Sequence, residues 1–131
     1  MCSSDLGAWR VENFGRSGAT ALRDGTRPYR DLDVYARALE SRPDVVVVAL
    51  GVNDAAARNF TDHGDAFEGD YADLVDTFLA LDPAPRVVLG SLPPVIAPHG
   101  EAESGLGARF TVDAAISSVG EARGQIGRAH V

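Results

Sequence analysis

Gly18 and Asn53 are the two residues of this chain best suited to stabilise a developing negative charge. Gly18 lies in the Gly-punctuated stretch Phe14–Thr20 (FGRSGAT), and without a Cβ it lets a backbone N–H come close to a substrate oxygen. Asn53, in Gly51–Asp54 (GVND), offers a neutral amide with two donors. A backbone N–H and a side-chain amide aimed at one point make an oxyanion hole, the device that stabilises the tetrahedral intermediate of acyl transfer. Neutral donors suit that task, since a charged one would disturb the proton balance of the reaction. Taken singly, each residue has a plainer reading. Gly18 serves equally as a turn glycine, and Asn53-Asp54 as an Asx-turn closing a strand. The chemistry depends on whether the fold brings the two loops together.

The element that must present Asn53 is Asp44–Asp54 (DVVVVALGVND). Six apolar residues, Val45 to Leu50, follow Arg42-Pro43 and stop at Gly51, the pattern of a parallel strand buried on both faces. Around it, Trp9–Asn13 alternates as a short strand. Arg27-Pro28 marks a turn, and Leu32, Tyr35, Ala36 and Leu39 share a helical face ending before Pro43. A polar loop is expected from Gly51 to about Gly64. The strongest helical periodicity follows over Phe67–Leu81, in Tyr71, Leu74, Val75, Phe78 and Leu79, with Pro83 as its stop. Arg86–Leu92 (RVVLGSL) is a second buried strand. Pro93–Gly107 is too rich in Pro and Gly for regular structure, and Val112, Ala115, Ile116 and Val119 mark a last helix. Strands alternating with helices specify an α/β fold with a parallel sheet. In such a sheet the loops Asn13–Thr20, Gly51–Asp54 and Ser91–Gly100 share one edge, where ligands bind.

Composition removes several classes of function. The 131 residues suit one domain, and a formal charge of −7 supplies no basic stripe for nucleic acid. No apolar run approaches a membrane span. Cys2 is the sole cysteine and the three histidines are widely spaced, so no metal motif is present and no cofactor is implied. Met1–Leu6 (MCSSDL) and Gln125–Val131 (QIGRAHV) read as translated sequencing-adapter DNA and are set aside as non-native tails, leaving a partial domain over 8–124. The natural N-terminus is then not visible, and compartment and oligomeric state stay open.

The run NFGRSGAT followed by GVND resembles the second and third sequence blocks of SGNH hydrolases, the GDSL-type esterases. The longer segments NFGRSGATALRDGTRPY, RPDVVVVALGVNDA, DYADLVDTF and PRVVLGSLPPV are similar to the sialate O-acetylesterase-like and lysophospholipase-like branch. The resemblance implies a three-layer αβα, flavodoxin-like parallel sheet of strand order 2-1-3-4-5, of which this chain carries three strands. The absent first strand would lie between Trp9–Asn13 and Val45–Leu50, and the absent last one beyond Arg86–Leu92. It also implies hydrolysis of acetyl or acyl esters of carbohydrate or small substrates by a Ser-His-Asp triad, with the oxyanion donors falling on Gly18 and Asn53.

The triad itself is not in this sequence. No GDS block precedes Trp9 and no D-x-x-H occurs anywhere, so His63, His99 and His130 receive no catalytic role. The chain alone is therefore expected to be inactive. Two other readings remain: a non-catalytic α/β binding domain, and an α/β-hydrolase in which Gly15–Ala19 approximates G-x-S-x-G with Ser17 as nucleophile. The second needs a helix directly after Ser17, which Asp24-Gly25 and Arg27-Pro28 oppose. A dinucleotide-binding half-domain would need G-x-G-x-x-G, and a receiver domain an acidic cluster after its first strand; neither is found.

Overall fold

The structure is a computed structural model that describes residues 3–6, 9–92, 102–124 and 128–130, with side chains described over 9–92 and 107–124. In chain order the strands and helices are β1 (Ser3–Leu6), β2 (Trp9–Glu12), α1 (Asp33–Glu40), β3 (Val45–Val48), α2 (Ala57–His63), α3 (Phe67–Leu79), β4 (Arg86–Ser91), α4 (Ala102–Ala122) and β5 (Arg128–His130). Single 3-10 turns precede α1 at Tyr29–Asp31 and α3 at Gly64–Ala66.

The sheet that matters for the site is β3-β4-β5, parallel throughout, with Val45 beside Arg86 and Val48 beside Leu89. Strand order here follows chain order, so each right-handed crossover turns the same way and lays its helices on the same face. That face carries Val46, Val48, Val87 and Leu89. α3 and α4 pack on β4, and Tyr71, Leu74, Val75 and Phe78 of α3 join Val112, Ile116 and Val119 of α4 in one buried cluster. α1 adds Val34 and Ala38, and its Tyr35 ring meets Phe78 edge-on, 6.3 Å between centroids. At the far end of the layer Arg123 grips Asp76 with two bonds, Nε–Oδ1 at 2.6 Å and Nη2–Oδ2 at 2.9 Å.

The class, the parallel pairing of β3 with β4 and the incompleteness of the sheet match the sequence reading, as do α1 and α3. Five expectations are corrected. First, β3 is not buried on both faces: Val45 is 40% and Val47 58% exposed, because among the described residues no helix covers that side. The described chain thus supplies two of the three layers. Second, β2 stands apart from β3, as expected with the first strand absent, but it pairs antiparallel with β1 in a separate two-stranded sheet, a partner the sequence reading did not give it. Third, five strands form rather than three, and β5 occupies the edge of β4 that was expected to be vacant. These extra strands, β1 and β5, fall in the segments read as foreign tails. Fourth, the expected loop from Gly51 to Gly64 contains α2 (ARNFTDH), in which only Ala57 and Arg58 are strong helix formers and no apolar stripe announces the helix. Fifth, α4 begins at Ala102, inside the Pro- and Gly-rich stretch; Gly105 and Gly107 weaken a helix but do not forbid one that packing extends. His99 and positions 93–100 of the third loop lie outside the described residues.

Beyond β3 the chain turns at Gly51, buried with φ +133°. A Cβ there would sit 2.9 Å from Leu92 Cδ2 and 3.1 Å from Val112 Cγ1. Gly18 also has positive φ, +80°, but the nearest atom to its virtual Cβ is Arg27 Cδ at 3.9 Å. Gly51→Ala combines strain with overpacking and is expected to destabilise by about 2–5 kcal/mol. Gly18→Ala carries only the backbone term, about 1–2 kcal/mol. Urea unfolding of both variants should rank them in that order; equal losses would mean that the contact with α4 is not tight.

Candidate functional site

The loop after β2 is shaped by its own side chains before anything reaches it from elsewhere. Asn13 Oδ1 accepts from the Gly15 N–H at 2.8 Å, an Asx-turn. Ala19 N–H then bonds Arg16 C=O across a turn whose third residue is Gly18, the position where type II turns require positive φ. Arg27 Nη1 donates to Ser17 C=O at 2.8 Å, and Tyr29 Oη to Phe14 C=O at 2.8 Å. Thr20 bridges to Pro28: its N–H bonds Arg27 C=O at 2.9 Å and its C=O receives Tyr29 N–H at 2.8 Å. Residues 20–28 therefore make a closed ring. No helix follows Ser17, so the strand-turn-helix elbow that Ser17 would need as a nucleophile is not formed.

The segment after β3 meets this ring. Asp54 is fully buried, and its carboxylate takes the Ala21 N–H at 3.1 Å on one oxygen and the Leu22 N–H at 2.8 Å on the other. Asn53 Nδ2 donates to Ala19 C=O at 3.2 Å, against the residue that follows Gly18. Asn59, on α2, accepts from Thr26 N–H at 2.8 Å and donates to Asn53 C=O at 2.8 Å. From α3, Asp70 accepts the Arg23 N–H at 3.0 Å and Asp73 the Arg23 guanidinium at 3.1 Å. Four side chains from beyond β3, those of Asp54, Asn59, Asp70 and Asp73, thus hold a ring that has no regular structure of its own. The two loops singled out in the sequence do converge, Gly18 and Asn53 among them. His63 ends α2 rather than lying in a loop, and stands apart from these contacts.

Burial raises the Asp54 pKa, while the N–H groups of Leu22, Ala21 and Asp54 itself pull it back. Tyr71, also buried and with no hydrogen bond to its hydroxyl, is pushed well above the usual phenol range, first by desolvation and then by the Asp54 charge. At the helical end of the molecule the hydrogen bond from Arg123 lowers Asp76. No cluster of metal-ligating side chains exists among the described residues, and no helix among them is long and apolar enough to cross a membrane. Sequence reading missed Asp54 and Asn59 as binding partners of the 20–28 ring. The only signal was polar residues set into an otherwise Ala-rich run directly after a buried strand.

Comparison with known proteins bears on the family and the fold. The model of the GDSL-like lipase/acylhydrolase family matches residues 1–126. An acetylxylan esterase of Xylanibacter ruminicola is 39% identical over 69 residues, which is 53% of this chain and 14% of that protein. Among solved structures, a carbohydrate acetylesterase from Sinorhizobium meliloti superposes with a TM-score of 0.63 at 18% identity, over 87% of this chain and 60% of the other. The aryl esterase of M. smegmatis gives 0.61 at 21% identity, with the same coverage. The two structures establish likeness of fold, and the chain spans only part of each relative.

Removing the Asp54 carboxylate strands two buried N–H groups. Asp54→Ala is expected to destabilise by about 2–4 kcal/mol, and Asp54→Asn, which keeps one acceptor, by less. A raised carboxyl pKa means the folded chain holds its proton to higher pH than the unfolded one. The Asp54 contribution is therefore complete below the unfolded value of about 3.9 and declines as pH rises through the folded value. Asp76 works in the opposite sense, contributing above about 3.9 and losing that contribution as pH falls through its lowered value. Denaturation of wild type and Asp54→Asn across this range should show their difference in stability changing with pH; a constant difference would mean that Asp54 is not shifted.

Proposed function

This chain belongs to the GDSL-like lipase/acylhydrolase family, and from that premise we propose that it carries the oxyanion-binding part of a serine esterase. In this reading the Gly18 N–H and the Asn53 side-chain amide hold the negative oxygen of the tetrahedral intermediate. The carrying observation is the bond from Asn53 Nδ2 to Ala19 C=O, which sets the amide beside the turn that contains Gly18. That bond uses one of the two Asn53 amide hydrogens and fixes the plane of the group, leaving the other to point at substrate. Residues 8–124 are the esterase part, and the segments read as adapter-derived lie outside it.

The substrate is an acetyl or acyl ester of a carbohydrate or other small alcohol, in keeping with the acetylxylan esterase similarity. In the intact enzyme a serine attacks the ester carbonyl, a histidine held by an aspartate takes its proton, and the carbonyl oxygen gains charge against the two donors. Because neither donor is charged, each strengthens its hydrogen bond as the oxygen becomes negative without taking part in proton transfer. The serine, histidine and aspartate come from sequence blocks that this chain does not contain.

Two outcomes test this. On p-nitrophenyl acetate the 131-residue chain should show no turnover that depends on a triad, and Ser17→Ala should leave any background rate unchanged. Robust turnover abolished by Ser17→Ala would transfer the function to Ser17. In the intact enzyme Asn53→Ala should lower kcat by roughly 10²–10³-fold with KM nearly constant, as expected for a donor that acts on the transition state. An unchanged kcat would remove Asn53 from the oxyanion hole.

A further inference from the structure

We propose that Asn59 is a positioning residue for this site, setting the direction of both oxyanion donors through a closed circuit of hydrogen bonds. The proposal rests on the reading of Gly18 and Asn53 given above. Asn59 sits in the first turn of α2 and is 1% exposed. Its side-chain oxygen accepts from Thr26 N–H at 2.8 Å, and its nitrogen donates to Asn53 C=O at 2.8 Å and to Thr26 Oγ1 at 3.4 Å. The amide's acceptor and both its hydrogens are therefore engaged. Reversing the amide would set N–H against N–H and oxygen against oxygen, so only one orientation is compatible with its neighbours.

The circuit closes through the Asn53 donor and passes next to Gly18 at Ala19. Thr26 is bonded covalently to Arg27, whose carbonyl accepts from Thr20 N–H at 2.9 Å. Thr20 follows Ala19, whose carbonyl accepts from Asn53 Nδ2 at 3.2 Å. Asn53 returns to Asn59 through its own carbonyl. Asn53 is thus held at both ends, by Asn59 on its backbone and by Ala19 on its side chain, while the turn carrying Gly18 is held on the same ring. Hydrogen bonds in such a part-buried network reinforce one another, so the loss of one weakens its neighbours. Only Asn fits position 59. Asp has the same shape but, ionised, presents a second acceptor to the Asn53 carbonyl. Gln would carry an added methylene into a position that is 1% exposed.

The test uses the chain itself. In a labelled sample, NMR should detect scalar coupling across the hydrogen bond from Asn59 Nδ2 to the Asn53 carbonyl carbon; its absence in the folded chain overturns the proposal without any substitution. In Asn59→Asp at neutral pH, the signals of the Gly18 amide and the Asn53 side-chain amide should move, while Thr26 N–H keeps its protection from exchange because a carboxylate oxygen still accepts. Acidification protonates the introduced carboxyl, restores a donor, and should return both signals toward their original positions. The unsubstituted chain, followed over the same pH range, accounts for every change that does not come from the introduced carboxyl. Unmoved Gly18 and Asn53 signals in the folded variant at neutral pH would also overturn the proposal.

In the intact enzyme Asn59→Asp should lower kcat roughly 10–100-fold with little change in KM, and the loss should shrink at acid pH. A full kcat at neutral pH in the folded variant would remove the positioning role. The two readings fail separately. A normal kcat in Asn53→Ala alongside an intact Asn59–Asn53 coupling would sink the oxyanion assignment alone.

Discussion

The site depends on one buried carboxylate. Asp54 leaves water entirely and receives in exchange the N–H groups of Ala21 and Leu22, one on each oxygen. An isolated charge in a protein interior costs several kcal/mol, and charge-assisted bonds to oriented N–H groups offset that cost. The same exchange satisfies two backbone donors in a ring with no helix or ladder to satisfy them. Each partner is therefore unfavourable alone and acceptable only in contact with the other. Because Asp54 directly follows Asn53, fixing the carboxylate fixes the chain that presents the amide.

How much of this was legible in the sequence follows from which forces act locally. The strands β3 and β4 and the helices α1 and α3 could be read because each writes its burial into a repeat: an apolar run for the strands, and residues three and four apart for the helices. The pair Gly18 and Asn53 was legible because the glycine and the amide each stand in a short block of recognisable spacing. Asp54 and Asn59 were not, since their partners are 32–33 positions away and their residue types are equally at home in solvent. The same blindness explains α2. Most of its residues are weak helix formers, and the burial of Asn59 goes with hydrogen bonds to a distant ring rather than with an apolar stripe.

The exposure of Val45 and Val47 was also hidden from local pattern. A run of valines says that a strand prefers burial on both faces, but whether both faces are covered depends on which other elements the chain brings. Here the crossovers from β3 to β4 and from β4 to β5 turn in one sense, so their helices all land on one side. Edge position and a bare face coincide on β3, which is the strand that ends at the donor loop. The covered side of the sheet is the one on which α3 and α4 pack against β4.

Gly51 has a mechanical meaning beyond its backbone angle. With hydrogen where another residue would carry a methyl, it lets Leu92, Val112 and Ile116 rest directly against the backbone two residues before Asn53. α4 acts there as a rigid stop whose inner face sets how far the tip of the strand projects. Leu92 is tied to the same helix by its N–H to Asp113 Oδ1 at 2.9 Å, so the stop moves with the end of β4 as one piece. The donor loop is consequently gauged from two sides, by the polar ring in front and by an apolar surface behind, and a helix that carries none of the proposed chemistry shares in setting its reach.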